Sequence, residues 1–402
     1  MDTDLDVLVA GGGPAGLVAA RVVAEAGRTV TVFEREAEIG TPVHTSGGLS
    51  IDVMRRFAIP AELYHPVSRL RLSSPNENAV VDFAEPVGCI IDVRGVYQHL
   101  AREAQRAGAR IETGTAVVAP ILEDGTVTGC RVRTGGVERD VPATIVVDAS
   151  GYRADISRAA GLHPGFTRFG VGAEYEVVAP HCRQDEVVLI VGNRYAPAGY
   201  AWVFPWGRGR VRIGVGLLHT DTREDARKLI TTFMDDLHRF GVDLRDHTIT
   251  ETHFGLIPAA GLAERLVGDG IVAVGDAAGV ATLVVGEGIR PSMISGEMAG
   301  AAAVTALAQG RRDAASMRDY ERRFRAAFGR DLRIGTAINR RMASWNDDDW
   351  DDKVRWLRTV PSRLLVAVLQ SDFSPADVIS WLLMRPRQWP RLARWTFKAL
   401  VR

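Results

Sequence analysis

The sequence predicts an α/β fold in which a strand–turn–helix domain is interrupted by an antiparallel β-sheet and followed by a C-terminal helical region. Three observations predict it. The apolar run Leu5–Ala10 leads into Gly11-Gly12-Gly13-Pro14-Ala15-Gly16 and then into a helical pattern through Val18, Val22, Val23 and Ala26. Residues 166–218 are strand-rich. Strand, glycine turn and a long small-residue helix then return over residues 270–309.

Taken in order, a second short strand, Val30–Phe33, ends at Glu34 and completes a Rossmann-like βαβ unit. Residues 36–65 are loop-rich, with Gly40, Gly47 and Gly48 ahead of a helix that begins near Ser50. Residues 68–91 read as short alternating strands, 94–107 as a helix and 110–111 as a strand. A hairpin is expected from 126–133 to 138–141 across Thr134-Gly135-Gly136. The strand at 145–147 ends at Asp148-Ala149-Ser150-Gly151. Residues 175–178, 186–191, 201–204 and 210–217 read as an antiparallel sheet, followed by a helix over 222–240. After the strand at 270–275 comes a helix over 291–309. The predicted division is therefore a discontinuous nucleotide-binding domain (1–67, 92–165 and 255–310), an inserted sheet domain (68–91 and 166–254) and a helical region (311–402).

Composition narrows the function classes. The 402 residues carry 49 basic and 49 acidic side chains, so no overall field favours nucleic acid. Cys89, Cys130 and Cys182 are far apart and form no C-x-x-C pair, which argues against a disulfide framework, a zinc site or a dithiol centre. A reducing cytoplasm fits this usage. The start lacks the basic, long-apolar pattern of a secretion signal, and no run of about 18 apolar residues predicts a spanning helix.

The glycine turn carries the first chemistry. Gly11 allows the tight turn, Gly13 lets backbone approach a pyrophosphate, and Gly16 permits helix–strand packing, with Pro14 and Ala15 opening the helix. The helix N-terminus offers amides and a positive dipole end to phosphates. Glu34 is placed to accept hydrogen bonds from ribose hydroxyls. A second site, Val274-Gly275-Asp276-Ala277-Ala278-Gly279, resembles the turn with which two-domain flavoproteins, among them aromatic hydroxylases, halogenases and prenyl reductases, hold the ribityl and pyrophosphate of FAD. The resemblance implies a Rossmann-like FAD-binding domain with an inserted antiparallel β-sheet substrate domain. The turn at 148–151 with Ser157-Arg158 resembles that family's third landmark, although it also fits an ordinary turn after a buried strand. Arg94 resembles the family arginine that meets the cofactor, or reads as a solvated surface arginine. Arg35, Gly48 and Val117 are further cofactor contacts that the resemblance implies.

Two stretches narrow the family. Tyr200-Ala201-Trp202-Val203-Phe204-Pro205 resembles the Y-x-W-x-F-P segment of geranylgeranyl reductases, and Gly286-Glu287-Gly288-Ile289-Arg290-Pro291 with Ser295-Gly296 resembles their glycine-rich flavin loop. The likeness spans roughly residues 5–310. On a strand, Tyr200, Trp202 and Phe204 point to one face, an aromatic wall for a greasy chain, or alternatively a core stripe. The resemblance implies hydride transfer from reduced FAD to isolated double bonds of a polyprenyl chain, with a proton delivered to the second carbon.

Relatives often place a cysteine for that proton in a loop similar to residues 40–50. Here the loop carries His44, Thr45 and Ser46, with Thr45 at the cysteine position. A threonine hydroxyl is no useful acid near neutral pH, whereas histidine titrates near 6.5. His44 or an ordered water is therefore a candidate donor, and His44 also reads as a loop histidine bonded to backbone.

No second nucleotide motif is visible, so NAD(P)H, a ferredoxin or a deazaflavin are all open as external electron donor. From residue 353 to 402, ten basic residues stand against two acidic ones, a net of +8. Trp381, Leu382, Trp389, Leu392, Trp395 and Leu400 recur there at helical spacing, as in an element lying on the inner face of a membrane. A lid, a partner-docked helix or a core cap fits the same spacing. The competing activity is an FAD-dependent monooxygenase, a hydroxylase or epoxidase acting on a hydrophobic or aromatic substrate. A halogenase lacks a suitably placed lysine here, and a bare electron carrier would need no substrate pocket.

Overall fold

The computed structural model describes residues 5–373. Its first sheet runs in the order Val267–Gly268, Ile271–Ala273, Val137–Asp148, Leu5–Ala10, Val30–Phe33, Arg110–Glu112. Apart from the short Val267–Gly268 edge, these strands are parallel, with Val7 opposite both Val30 and Ile145. Strands covered on both faces read as unbroken apolar runs, which is why Leu5–Ala10 and Val30–Phe33 were legible. The helices Pro14–Glu25 and Ile289–Ala308 pack together over this sheet and share its core. The α/β fold is as expected.

One feature of this sheet differs from expectation. Val137–Asp148 is a single twelve-residue strand that leaves the parallel sheet to pair with Thr126–Thr134, which in turn pairs with Thr115–Glu123. That last strand was not predicted, because its side chains are mostly half-buried and show no clean alternation.

The second sheet has seven strands in the order Thr248–Pro258, Phe169–Val178, Arg210–His219, Gly199–Gly207, Glu186–Ile190, Arg69–Ser73, Asn78–Asp82. All neighbours are antiparallel except Glu186–Ile190 and Arg69–Ser73. The helix Ala226–Asp236 covers one face through Ile230 and Phe233, and the other face looks towards the nucleotide-binding domain. Thr248–Pro258 carries this sheet past residue 254 to Pro258. As an edge strand it leaves Ile249, Phe254 and Leu256 exposed, so its pattern does not resemble a half-buried strand. Only part of residues 68–91 joins this sheet. Gly88–Ile91 instead forms a separate three-stranded sheet with Gly48–Ser50 and Tyr64–Val67.

The chain continues through Ala314–Phe324, one π-helical turn at Arg325–Gly329, Arg330–Met342, Asp347–Leu357 and Ser362–Leu369. The acidic run at 347–352 opens a helix. Asn346 and Asp349 form a capping box, and carboxylates in the first turn complement the helix dipole. Asp351 is buried and accepts hydrogen bonds from Ser74 Oγ (2.5 Å), the Asn76 backbone N–H (3.0 Å) and Asn76 Nδ2 (2.7 Å), which docks the helix on the sheet domain. Residues 374–402 of the basic segment, with Trp381, Leu382, Trp389, Leu392, Trp395 and Leu400, lie outside the described residues. Among the described residues no helix is long and apolar enough to cross a membrane, and no group of ligating side chains could hold a metal ion.

Candidate active site

A cavity of about 380 Å³ lies between the two sheets and is roofed by the C-terminal helices. Its nucleotide end is made by the turn after Leu5–Ala10. Gly11 has φ +112°, and a Cβ there would sit 2.4 Å from the Ala149 carbonyl oxygen, so only glycine fits. Gly13, Pro14 and Ala15 line the cavity, and nothing stands within 4 Å of where a Gly13 Cβ would point. No side chain caps the following helix, whose first turn faces the cavity. Gly16 packs behind, where a Cβ would meet the Gly11 carbonyl oxygen at 2.2 Å.

Glu34 shapes this turn directly. Its Oε2 accepts the Gly12 N–H at 2.7 Å and its Oε1 the Glu36 N–H at 2.9 Å. Asp148 holds the neighbouring turn by accepting from Ser150 N–H (3.0 Å), Ser157 N–H (2.7 Å) and Ser157 Oγ (2.5 Å). Ala149 and Gly151 of that turn reach the cavity, and the buried Ser150 Oγ has no hydrogen-bond partner. Opposite them stand Asp276, Gly286, Gly288 and Ile289. The Asp276 carboxylate makes no hydrogen bond within the described residues, and burial pushes its pKa up to about 6. A backbone cradle open at Gly13, an orphaned hydroxyl and a lone carboxylate that can accept sugar or ribityl hydroxyls together fit the polar half of FAD.

Other expected cofactor contacts are not brought to the cavity. Arg94 is 44% exposed and stands 3.9 Å from Glu251. Arg35 is exposed beside Glu36, and Val117 packs against the core of the parallel sheet opposite Val132. Gly48 lies under Phe204, whose Cε2 is 3.2 Å from the position of a Gly48 Cβ. A motif locates these residues in the chain, but the side chain's direction depends on packing from elsewhere.

The substrate side is built from cross-strand rows of the seven-stranded sheet. Tyr200, Gly216, Gly172 and Gly255 form one row, Trp202, Gly214, Glu174 and His253 the next, and Phe204, Arg212, Glu176 and Glu251 the third. Tyr200, Trp202 and Phe204 do share a face, with successive ring centroids 5.6 and 6.0 Å apart. Tyr200 and Trp202 line the cavity. Phe204 and Pro205 do not, because that end of the strand lies against the three-stranded sheet and Pro205 points to the opposite face. The Tyr200 hydroxyl donates to the Val285 carbonyl oxygen, tying the wall to the loop that carries Gly286 and Gly288. The Trp202 indole lies over Gly214, where a Cβ would come within 2.2 Å of Cζ2, and its N–H donates to Glu174 Oε2 at 2.9 Å.

The loop carrying His44, Thr45 and Ser46 forms a further wall. His44 Nδ1–H donates to the Phe254 carbonyl oxygen at 2.8 Å, the backbone-bonded arrangement open from sequence, which leaves Nε2 as its remaining ring nitrogen. The buried Arg212 anchors the loop by donating Nη1–H to the Ser46 and Ile91 carbonyl oxygens, both at 2.9 Å. Sequence reading missed Arg212, Glu174, His253 and the roof residues Asn339, Met342 and Trp350. The alternating glycines of Ile213-Gly214-Val215-Gly216, beside a strand bearing a tryptophan, were the available signal.

This fold and this cavity define an FAD-dependent oxidoreductase, and a family model described as FAD dependent oxidoreductase matches residues 6–198. A model of the geranylgeranyl reductase catalytic domain matches residues 170–255, the stretch containing the aromatic wall, Glu174 and His253. The chain is 30% identical to digeranylgeranylglycerophospholipid reductase 2 of Methanopyrus kandleri, covering 92% of this chain and 96% of the relative. It is 31% identical to digeranylgeranylglycerophospholipid reductase of Methanosarcina acetivorans, covering 94% of each. Among solved structures, a geranylgeranyl bacteriochlorophyll reductase-like protein from Thermoplasma acidophilum superposes with a TM-score of 0.83 at 26% identity, over 94% of this chain and 98% of that one. The chain belongs to the geranylgeranyl reductase family.

Proposed function

We propose that this enzyme saturates carbon–carbon double bonds of a polyprenyl, geranylgeranyl-type lipid or prenylated substrate. The observation that carries the reading is the continuity of one cavity from Gly13 and Asp276 to the Tyr200–Trp202 wall. Bound, reduced FAD supplies hydride chemistry. Gly13, Pro14, Ala15 and Asp276 are the residues that would hold its polar half, with Gly286, Gly288 and Ile289 beside them. The protein's own part is to align an apolar chain against Tyr200 and Trp202, exclude water and provide a proton, since an unpolarised alkene accepts hydride only when its second carbon is protonated. Thr45 occupies the wall but is too weak an acid for that step.

NAD(P)H, a ferredoxin and a deazaflavin are the donors to compare, and contact with the inner face of a cytoplasmic membrane through the basic C-terminal segment belongs to the same proposal. The deciding experiment reduces the flavin anaerobically and adds geranylgeranyl lipids, prenylated quinones or free diphosphates. At least one polyprenyl compound is expected to reoxidise the flavin and gain two hydrogens by mass. Inertness across that panel, or oxygen uptake matched to an oxygenated product, overturns the reductase reading.

A further inference from the structure

Three ionisable side chains form a line from the surface to the cavity, and none belongs to the motifs that located the site. Glu251 is 46% exposed, and its Oε2 lies 3.0 Å from His253 Nε2. His253 Nδ1 lies 3.2 Å from Glu174 Oε1. His253 and Glu174 are almost fully buried, and both line the cavity. Glu174 and His253 are direct cross-strand partners, so sheet pairing rather than a loop sets their spacing. Glu174 Oε2 accepts the Trp202 indole N–H, which places the carboxyl group against the aromatic wall. Each carboxyl oxygen keeps a second lone-pair position beyond the one in use.

We propose that Glu174 is the acid that protonates the substrate double bond and that His253 and Glu251 reload it from solvent. The inference rests on the prenyl-reductase reading. The balance is simple. Hydride from the reduced cofactor brings two electrons to one alkene carbon, the Glu174 O–H bond breaks, and its proton forms the new C–H bond at the other carbon. The resulting carboxylate takes the Nδ1 proton of protonated His253, whose Nε2 side is replenished through Glu251 from water. The external donor restores the reduced cofactor.

The surroundings suit the reloading step. Glu176 and Arg212 stand in the adjoining row, and Arg94 stands 3.9 Å from Glu251. Burial alone would lower the His253 pKa, and Arg212 acts in the same direction. The hydrogen bonds to Glu174 and Glu251 and the negative charge of the Glu174 carboxylate outweigh both and raise it, so beside the spent carboxylate the imidazolium persists to higher pH than in an ordinary histidine and holds the proton that reloads the acid.

The test uses holoenzyme reduced anaerobically and mixed with a geranylgeranyl lipid that reoxidises the wild type. Glu174→Gln is expected to slow reoxidation by about 100-fold or more at unchanged FAD content, the scale of general acid catalysis, and Glu174→Asp to recover part of the rate. His253→Asn and Glu251→Gln are expected to shift the alkaline limb of the steady-state pH profile to lower pH, because the first removes the imidazolium and the second removes a hydrogen bond that keeps it protonated. A purely structural role would leave that limb in place. Wild-type reoxidation by Glu174→Gln, or unshifted profiles in the other two variants, overturns the relay alone. If Glu174→Gln fails to hold FAD, the two profiles decide. A wild type inert to every polyprenyl compound overturns the reductase reading, and the relay falls with it.

Discussion

The indole N–H of Trp202 reaches across the bare backbone of Gly214 to Glu174 Oε2 at 2.9 Å, so one aromatic wall residue and one buried carboxylate are fixed by the same missing side chain. Gly214→Ala should break this relationship, because the new Cβ would fall 2.2 Å from Trp202 Cζ2 and the indole cannot yield without entering the cavity. Overpacking of this kind costs about 1–3 kcal/mol. A lower thermal midpoint and a raised KM for the prenyl substrate, with FAD still bound, are the expected measurements. Wild-type values for both would show that the ring can move freely.

Arg212 couples the sheet to the loop of His44, Thr45 and Ser46. Its guanidinium is buried over the Trp206 ring at 4.6 Å, donates to two carbonyl oxygens and pairs with Glu176 at 3.4 Å. Arg212→Met leaves those acceptors and a largely buried carboxylate unpartnered, which costs about 3–5 kcal/mol. Chemical denaturation should show that loss. Faster release of FAD from the variant would show that the loop also closes the cofactor site.

These residues mark where sequence reading stops. The turn from Gly11 to Gly16, Glu34, and the Gly275-Asp276 site are local: strand, turn and helix follow one another, so the chemistry can be read from short consecutive stretches of chain. Tyr200 and Trp202 were legible for the same reason, since strand alternation alone puts them on one face. Phe204 shares that face yet misses the cavity, because a separate sheet built from residues 48–50, 64–67 and 88–91 lies against its end of the strand. Glu174 and His253 are 79 residues apart and meet only through pairing with an edge strand whose exposed Phe254 and Leu256 disguise it. Arg94 matched a motif, but its direction is decided by Glu251 and solvent.

Asp276 gives a pH-dependent prediction. Its pKa in the folded protein, about 6, stands above the ordinary 3.8 because burial disfavours the charged form. The folded state therefore binds the proton more tightly than the unfolded chain. The resulting stability is full below about pH 3.8 and is lost as pH rises through about 6. FAD-free Asp276→Asn should match the wild-type thermal midpoint at pH 4 and exceed it at pH 8. The same variant should bind FAD about 10- to 100-fold more weakly, as expected on losing hydrogen bonds to a charged acceptor. Equal midpoints at pH 8 would contradict the assignment of Asp276 as a carboxylate waiting for hydroxyl donors.

Asp351 tests whether the C-terminal helices hold the cavity closed. The helix Asp347–Leu357 contributes Trp350 to the roof, and Asp351 fastens it to Ser74 and Asn76 in the turn between Arg69–Ser73 and the edge strand Asn78–Asp82. Asp347 adds a second clamp by accepting the Asn193 N–H at 2.7 Å. Asp351→Ala removes three hydrogen bonds at once and leaves the buried Ser74 hydroxyl only its longer bond to the Glu77 carbonyl oxygen at 3.4 Å, a loss of about 2–4 kcal/mol. Because the damage is confined to the roof, the nucleotide turn should keep its FAD while the helix becomes accessible to protease and the KM for a long prenyl chain rises. Asp351→Asn keeps two acceptor lone pairs and should lie between the two. Loss of FAD in Asp351→Ala would instead mean that the roof and the nucleotide turn unfold together, and that the helical region belongs to the core of the cofactor domain.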